Sequence, residues 1–293
     1  MRAKLAALCV SILSSGVVVS AQTAPDAAPR PIGQADYSSV YCSGFMSDPK
    51  VPDDIRVISG EQSSYKIVFA RGDYVYINRG EDKGVKIGDR YTIVRPATDP
   101  ANEWFYGQPK LLKEMGILYK DAGQVRVVNV QPKVSIAEIV ISCDYMQRGD
   151  VARPFEERPA PPFKDAAKFD HFAPISGKPV GTVVSAFDYH QLLGRGDAAY
   201  VNIGAAKGVK VGDYMRVFRY QGAKKDVAAS AGEPDYQYKV YGFGTTPTKY
   251  EGKDLPREVL GEGIVLSVTR NAATVLITYS MVDMYAGDYA EIE

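Results

Sequence analysis

RGDYVYINRGEDKGVKIGDRY (Arg71–Tyr91) and RGDAAYVNIGAAKGVKVGDYM (Arg195–Met215) are two versions of one pattern, and their agreement decides the fold. A shift of 124 positions places Arg71-Gly72-Asp73 on Arg195-Gly196-Asp197, Tyr76 on Tyr200, Asn78 on Asn202 and Gly80 on Gly204. It also places Lys83-Gly84-Val85-Lys86 on Lys207-Gly208-Val209-Lys210 and Gly88-Asp89 on Gly212-Asp213, with no gap. The same shift pairs Tyr65 with Tyr189 and Arg95 with Arg219. Farther along, a shift of 138 pairs Val130 with Val268 and Gly149-Asp150 with Gly287-Asp288, so the second copy carries a net insertion of fourteen residues between Arg219 and Gly261. The chain is an internal duplication with one lengthened loop.

Each copy reads as strands. In the first, 55–59, 66–69, 74–78, 91–95, 124–130 and 137–142 are short, rich in Val, Ile and Tyr, and bounded by Gly, Asp, Asn or Pro. Five or six antiparallel strands per copy predict an all-β protein of two tandem small SH3-like β-barrels. Lys113–Gly123 suits either a strand or a helical turn. Gly-Asp recurs three times per copy, preceded by Arg only at 71, 148 and 195, so the repeated unit is the dipeptide and not Arg-Gly-Asp. Gly adopts backbone angles that other residues resist, and Asp accepts bonds from nearby backbone N–H groups, so Gly72, Asp73, Gly84, Gly88, Asp89 and their partners Gly196, Asp197, Gly208, Gly212, Asp213 are expected to be turns. A cell-attachment reading of the tripeptide is set aside in favour of the turn.

Arg2 and Lys4 precede an apolar run from Leu5 to Val19, and small residues lead up to Gln22, which predicts a signal peptide over 1–21 and a periplasmic or secreted product. After cleavage Cys42 and Cys143 remain and are expected to form a disulfide. The expected map continues with an N-terminal extension over 22–54, repeat one over 55–153, a Pro-rich linker over 154–178 and repeat two over 179–293, with its expanded loop at 220–260. Ala and Pro make 22–36 read as mobile, and RPFEERPAPPF (Arg153–Phe163) reads as a stiff spacer. In a chain of 293 residues, 35 Lys and Arg balance 35 Asp and Glu without a basic stripe, which argues against nucleic acid as a partner. No later apolar run approaches the ~20 residues of a membrane span.

The spacing carried by Gly72 to Val94 and Gly196 to Phe218 resembles the β-barrel module that follows LysM domains in bacterial envelope proteins. It is also similar to the C-terminal domain of flagellar assembly protein T. That resemblance implies a non-enzymatic envelope protein and brings no catalytic residues; no LysM repeat accompanies it here. GEDKGVK lacks the Gly-Lys-Ser/Thr spacing of a phosphate loop, and His171 and His190 stand apart from any metal-ligand cluster, so neither cofactor nor metal is expected. Aromatic loops are the candidate partner-binding surface: Trp104, Phe105 and Tyr106 in repeat one, and Tyr236, Tyr238, Tyr241 and Phe243 in repeat two. The same rings would otherwise cover a barrel end or build an extra hairpin. The expected function is a scaffold or assembly role through protein–protein contact with an envelope protein, with peptidoglycan or other glycan binding as the alternative.

Overall fold

A computed structural model describes residues 33–97, 108–164, 169–189, 192–220 and 256–293. The fold is all-β apart from short helices. A five-residue helix, α1 (Tyr37–Tyr41), leads to β1 (Phe45–Ser47). Repeat one then runs through β2 (Val57–Gly60), β3 (Val68–Phe69), β4 (Tyr74–Ile77), β5 (Arg90–Pro96), helix α2 (Gln108–Met115), β6 (Ile117–Val130), β7 (Ser135–Ser142), β8 (Met146–Gln147) and β9 (Val151–Pro154). Repeat two follows with β10 (Val180–Ala186), β11 (Leu192–Leu193), β12 (Ala198–Val201), β13 (Tyr214–Tyr220), β14 (Arg257–Val268), β15 (Ala273–Ser280), β16 (Met284–Tyr285) and β17 (Tyr289–Ile292). The segment 113–123 holds both readings of its sequence: α2 ends at Met115, Gly116 turns the chain at a φ of +110°, and β6 begins.

The duplication is carried strand for strand. Repeat one is ordered β2-β4-β7-β6-β5-β9, and repeat two closes into a barrel in the matching order β10-β12-β15-β14-β13-β17. Inward positions correspond: Ile139 and Ile277, Val127 and Val265, Met146 and Met284 lie in the cores of the open sheet of repeat one and the closed barrel of repeat two. At the first strand the register departs from the sequence alignment. Val57 pairs with Ile77 as Val183 pairs with Val201, so β2 and β10 correspond at a shift of 126, and the β2–β3 connection is two residues longer than its counterpart. Alignment by identity carried 124 through this point because it had only Tyr65 and Tyr189 to anchor it.

Closure also differs. β10 and β17 pair over Val180↔Glu291, Gly181↔Ala290 and Thr182↔Tyr289, whereas repeat one has the isolated bridge Arg56↔Val151 at that seam, with Ala152 N donating to Ile55 O at 2.9 Å.

The extension and the linker are docked where they are described. Asp36 caps α1 by accepting from Ser39 N at 2.6 Å, and Ala35, Val40 and Tyr41 are buried against Ile264, Leu266 and Leu276 of repeat two. In the linker, Arg158 donates to both oxygens of the fully buried Asp121 at 2.8 and 2.9 Å, and its own N–H reaches Tyr41 Oη at 3.0 Å. Arg90 stacks 3.9 Å from the centroid of Phe155. The proline-rich stretch is therefore a strap along the barrels, held by charge pairing and ring contact that its composition does not announce.

Candidate interaction surface

The six Gly-Asp pairs are six copies of one turn. Gly72, Gly88, Gly149, Gly196, Gly212 and Gly287 all have φ between +89° and +104°. In each, the following Asp accepts from the backbone N–H three residues back: Ala70, Lys86, Gln147, Gly194, Lys210 and Tyr285, at 2.8 to 2.9 Å. The glycine N–H bonds across to a neighbouring strand, as Gly72 does to Ile139 O and Gly196 to Ile277 O. Gly84 and Gly208 end matching 3-10 turns in the left-handed region, at φ of +77° and +85°. All the glycines and aspartates singled out in the repeat are thus turn residues, and Arg71 precedes such a turn.

The last turn of each copy also anchors a buried ion pair. Arg95 donates through Nε and Nη2 to the two oxygens of Asp150 at 2.7 and 2.8 Å, and Arg219 does the same to Asp288 at 2.7 Å for both. Burial pushes the Asp288 carboxyl above the usual aspartate range, against the pull of Arg219. Burial likewise raises Glu262, which Lys164 of the linker pairs together with Glu293. Arg257 pairs with the buried Glu291 and donates to Ala173 O and Pro174 O. These acids tie segments together.

Cys42 and Cys143 are bonded, with Cα atoms 5.3 Å apart, which pins the entry to β1 beside the end of β7. A cleft of about 310 Å³ beside the disulfide is lined by Ser38, Ser39, Ser43 and Asp197, the last already occupied by the Gly194 amide. His171 Nδ1 lies 2.8 Å from Val259 O, and His190 falls outside the described residues. Among the described residues no three His, Cys, Asp or Glu side chains gather as a metal site. No helix among them is long and apolar enough to cross a membrane.

Trp104, Phe105, Tyr106, Tyr236, Tyr238, Tyr241 and Phe243 lie outside the described residues. The surface that does stand out was not singled out by the sequence: the outward face of β2, β4 and β7. In β4 every second residue is buried, whereas all four residues of its counterpart β12 are buried on both faces. β7 alternates in the same way, while the first five residues of β15 are buried without interruption. The cause is a cover over repeat two: Met46 of β1, Met115 of α2 and Leu118 of β6 pack on Val184, Tyr200 and Ala272. Tyr200 is 1 % exposed and donates to Ser43 O at 2.7 Å, and burial raises its hydroxyl well above the usual tyrosine range. Gly44 makes the approach possible: at φ +66° it places its Cα where a Cβ would stand 2.5 Å from Tyr200 Oη.

Transposed to repeat one, the covered positions Val184, Tyr200 and Ala272 become Ile58, Tyr76 and Val134. Ile58 is 38 % exposed and the other two are half-buried. Tyr74, at the place of the buried Ala198, is also 38 % exposed, and Tyr65 in the β2–β3 connection is 94 % exposed. The sequence signal was available in principle, since Ile58, Tyr74, Tyr76 and Ile136 are large residues at outward strand positions. Only the burial of their counterparts shows that this is an unused contact face. No protein-family model matches the chain, and no curated protein matches it.

Proposed function

We propose that this protein is a non-catalytic scaffold or assembly protein of the bacterial envelope, acting through protein–protein contact after export to the periplasm or beyond. The observation that carries this reading is the open apolar face of repeat one, set beside a matching face in repeat two that another segment of the same chain covers. The disulfide suits an oxidising compartment, and the apolar leader with its basic start supports export. The likeness of the duplicated motif to envelope barrel modules points the same way. Glycan binding is the competing reading, because Tyr65 and Tyr74 expose rings that could stack on sugars.

Two measurements on mature protein separate these readings: capture of proteins from envelope fractions, and co-sedimentation with purified peptidoglycan. The scaffold reading predicts capture that falls by about thirtyfold in Tyr74→Glu, as expected for loss of an anchoring ring at about 2 kcal/mol, with no peptidoglycan co-sedimentation. Co-sedimentation abolished by Tyr74→Glu, with protein capture absent, would replace it with the glycan reading.

A further inference from the structure

The connection between β2 and β3 ends in a tip unlike anything at the matching place in repeat two. Residues 62–68 are exposed apart from Lys66, with Tyr65 94 %, Ile67 81 % and Val68 41 % exposed. The tip has a defined shape. Gln62 takes a φ of +53°, Tyr65 N and Lys66 N donate to Gln62 O at 2.9 and 3.0 Å, and Lys66 Nζ pairs with Asp73 at 2.6 Å. A fixed turn thus presents the two large apolar side chains that flank Lys66. The counterpart connection in repeat two is engaged instead: Tyr189 packs with Val184 and Tyr200, and Asp188 pairs with Lys120.

Cations and a further ring surround the tip. β3 pairs with β8 through Val68↔Gln147 and Phe69↔Met146, and that register continues to Ile67 beside Arg148 and Ala70 beside Tyr145. Arg148 is exposed, Arg71 is exposed in the turn after β3, and Tyr145 is half exposed with the Arg95 guanidinium over its ring. Of the acids at this end, Asp73 is taken by Lys66, and Asp144 lies near both Arg95 and Lys120. Among the described residues this leaves Arg71 and Arg148 against Glu61. The duplication supplies the control: Arg148 corresponds to Ala286, Ile67 to Gln191 and Tyr145 to Asp283. Asp283 O accepts from Arg219 as Tyr145 O accepts from Arg95, so the turn forms without the ring or the arginine. Turn geometry does not account for these side chains.

We infer that this tip docks repeat one on an anionic phospholipid surface, with Tyr65 and Ile67 entering the interface and Arg71 and Arg148 facing lipid phosphates. Large apolar side chains exposed on a soluble protein mark a protein or a membrane contact. A projecting tip needs a matching cavity in a protein partner, whereas a bilayer interface yields around it. Tyrosine suits the headgroup level, an aliphatic side chain goes deeper, and each cation near the surface adds attraction. The zero net charge of the whole chain does not oppose this, because the attraction falls off within about 10 Å and is set by the charges at the tip. The inference goes beyond the scaffold reading: it places the protein at a membrane surface whatever the face of Ile58, Tyr76 and Val134 binds.

Flotation with lipid vesicles tests it, using mature protein without the apolar leader. Wild type should float with vesicles of phosphatidylethanolamine and phosphatidylglycerol mixed about three to one, and should bind phosphatidylcholine vesicles at least about tenfold more weakly. Tyr65→Ser combined with Ile67→Ser should weaken binding about thirtyfold, and Arg148→Ala about fivefold, the value of one cation at an anionic surface. These side chains are exposed, so melting should match wild type. Leu192→Glu, at the place of Val68 in repeat two, should leave binding unchanged. A wild type that does not float, equal binding to the neutral vesicles, binding that survives in the double variant, or an equal loss in Leu192→Glu would each overturn the inference. Absence of flotation together with envelope-protein capture lost in the double variant would make the tip a protein contact instead.

Discussion

The two repeats share a backbone and differ in what lies over it. Their Gly-Asp turns, left-handed glycines and Arg–Asp pairs coincide, yet β12 is buried on both faces where β4 alternates, and the repeat-two seam is a ladder where repeat one has an isolated bridge. The comparison separates two kinds of constraint. Turn chemistry is local and survives duplication because each barrel needs it. Outward residues answer to neighbours, so Glu138 and Arg126 pair at the surface of repeat one while Leu276 and Ile264 stand in their places under α1.

The largest effects should come from the buried clamps, where the repeats are expected to agree. Arg219→Met leaves the Asp288 carboxylate buried without its guanidinium, with the Tyr285 N–H still donating to it, at a cost of about 3–5 kcal/mol at neutral pH. Burial already holds the folded-state value of Asp288 above the unfolded one. The folded chain therefore binds the additional proton in the interval between the two values. Stability lost at neutral pH should return as the pH falls through the folded value toward the ordinary aspartate range near about 3.9. Melting curves at pH 7 and pH 5 check the sign, and a variant that weakens further on acidification contradicts the account. Arg95→Met should cost a similar amount at neutral pH, since its hydrogen bonds are the same.

Removing the disulfide comes next. Cys42→Ser with Cys143→Ser opens a closure spanning 101 positions, and a loss of about 2–4 kcal/mol is expected in denaturant unfolding. Because the bond pins the segment that covers repeat two, amide exchange should rise at Tyr200 and leave Tyr76 unchanged. Equal effects at both tyrosines would break the asymmetry. Smaller again, Gly84→Val and Gly208→Val should each cost about 1–3 kcal/mol from backbone strain alone, because a Cβ at either site meets nothing within 4 Å. Unequal costs would show that the two turns are not equivalent. Arg71→Lys should change melting by less than about 0.5 kcal/mol, the level of an ordinary surface substitution, and should leave capture intact.

What the sequence disclosed follows the same division. The turns were legible because Gly and Asp act on their own backbone, and the disulfide because Cys42 and Cys143 are the two cysteines outside the segment the sequence predicts to be a signal peptide. Two docked segments were not. Arg158 finds Asp121 across the fold, and nothing in RPFEERPAPPF distinguishes a strap from a spacer. The cover on repeat two was equally hidden, since Ala198-Ala199-Tyr200-Val201 shows its small residues without showing what approaches them. The two-residue difference before β3 escaped because the strands on either side differ in identity while keeping their register. The aromatic loops, candidates for the contact surface, lie outside the described residues, and the outer face of repeat one takes their place as the surface argued from structure.

Truncating one tyrosine in each repeat tests the central claim most directly: one strand order is built twice, and this face is covered in only one copy. Tyr76 and Tyr200 occupy the same strand position, so Tyr76→Ala and Tyr200→Ala remove the same atoms from the same backbone site. In monomeric protein at low concentration, Tyr200→Ala should cost about 3–5 kcal/mol, as for other buried rings, and Tyr76→Ala less than about 1 kcal/mol. Denaturant unfolding of the two variants gives both numbers, and equal losses would contradict the account.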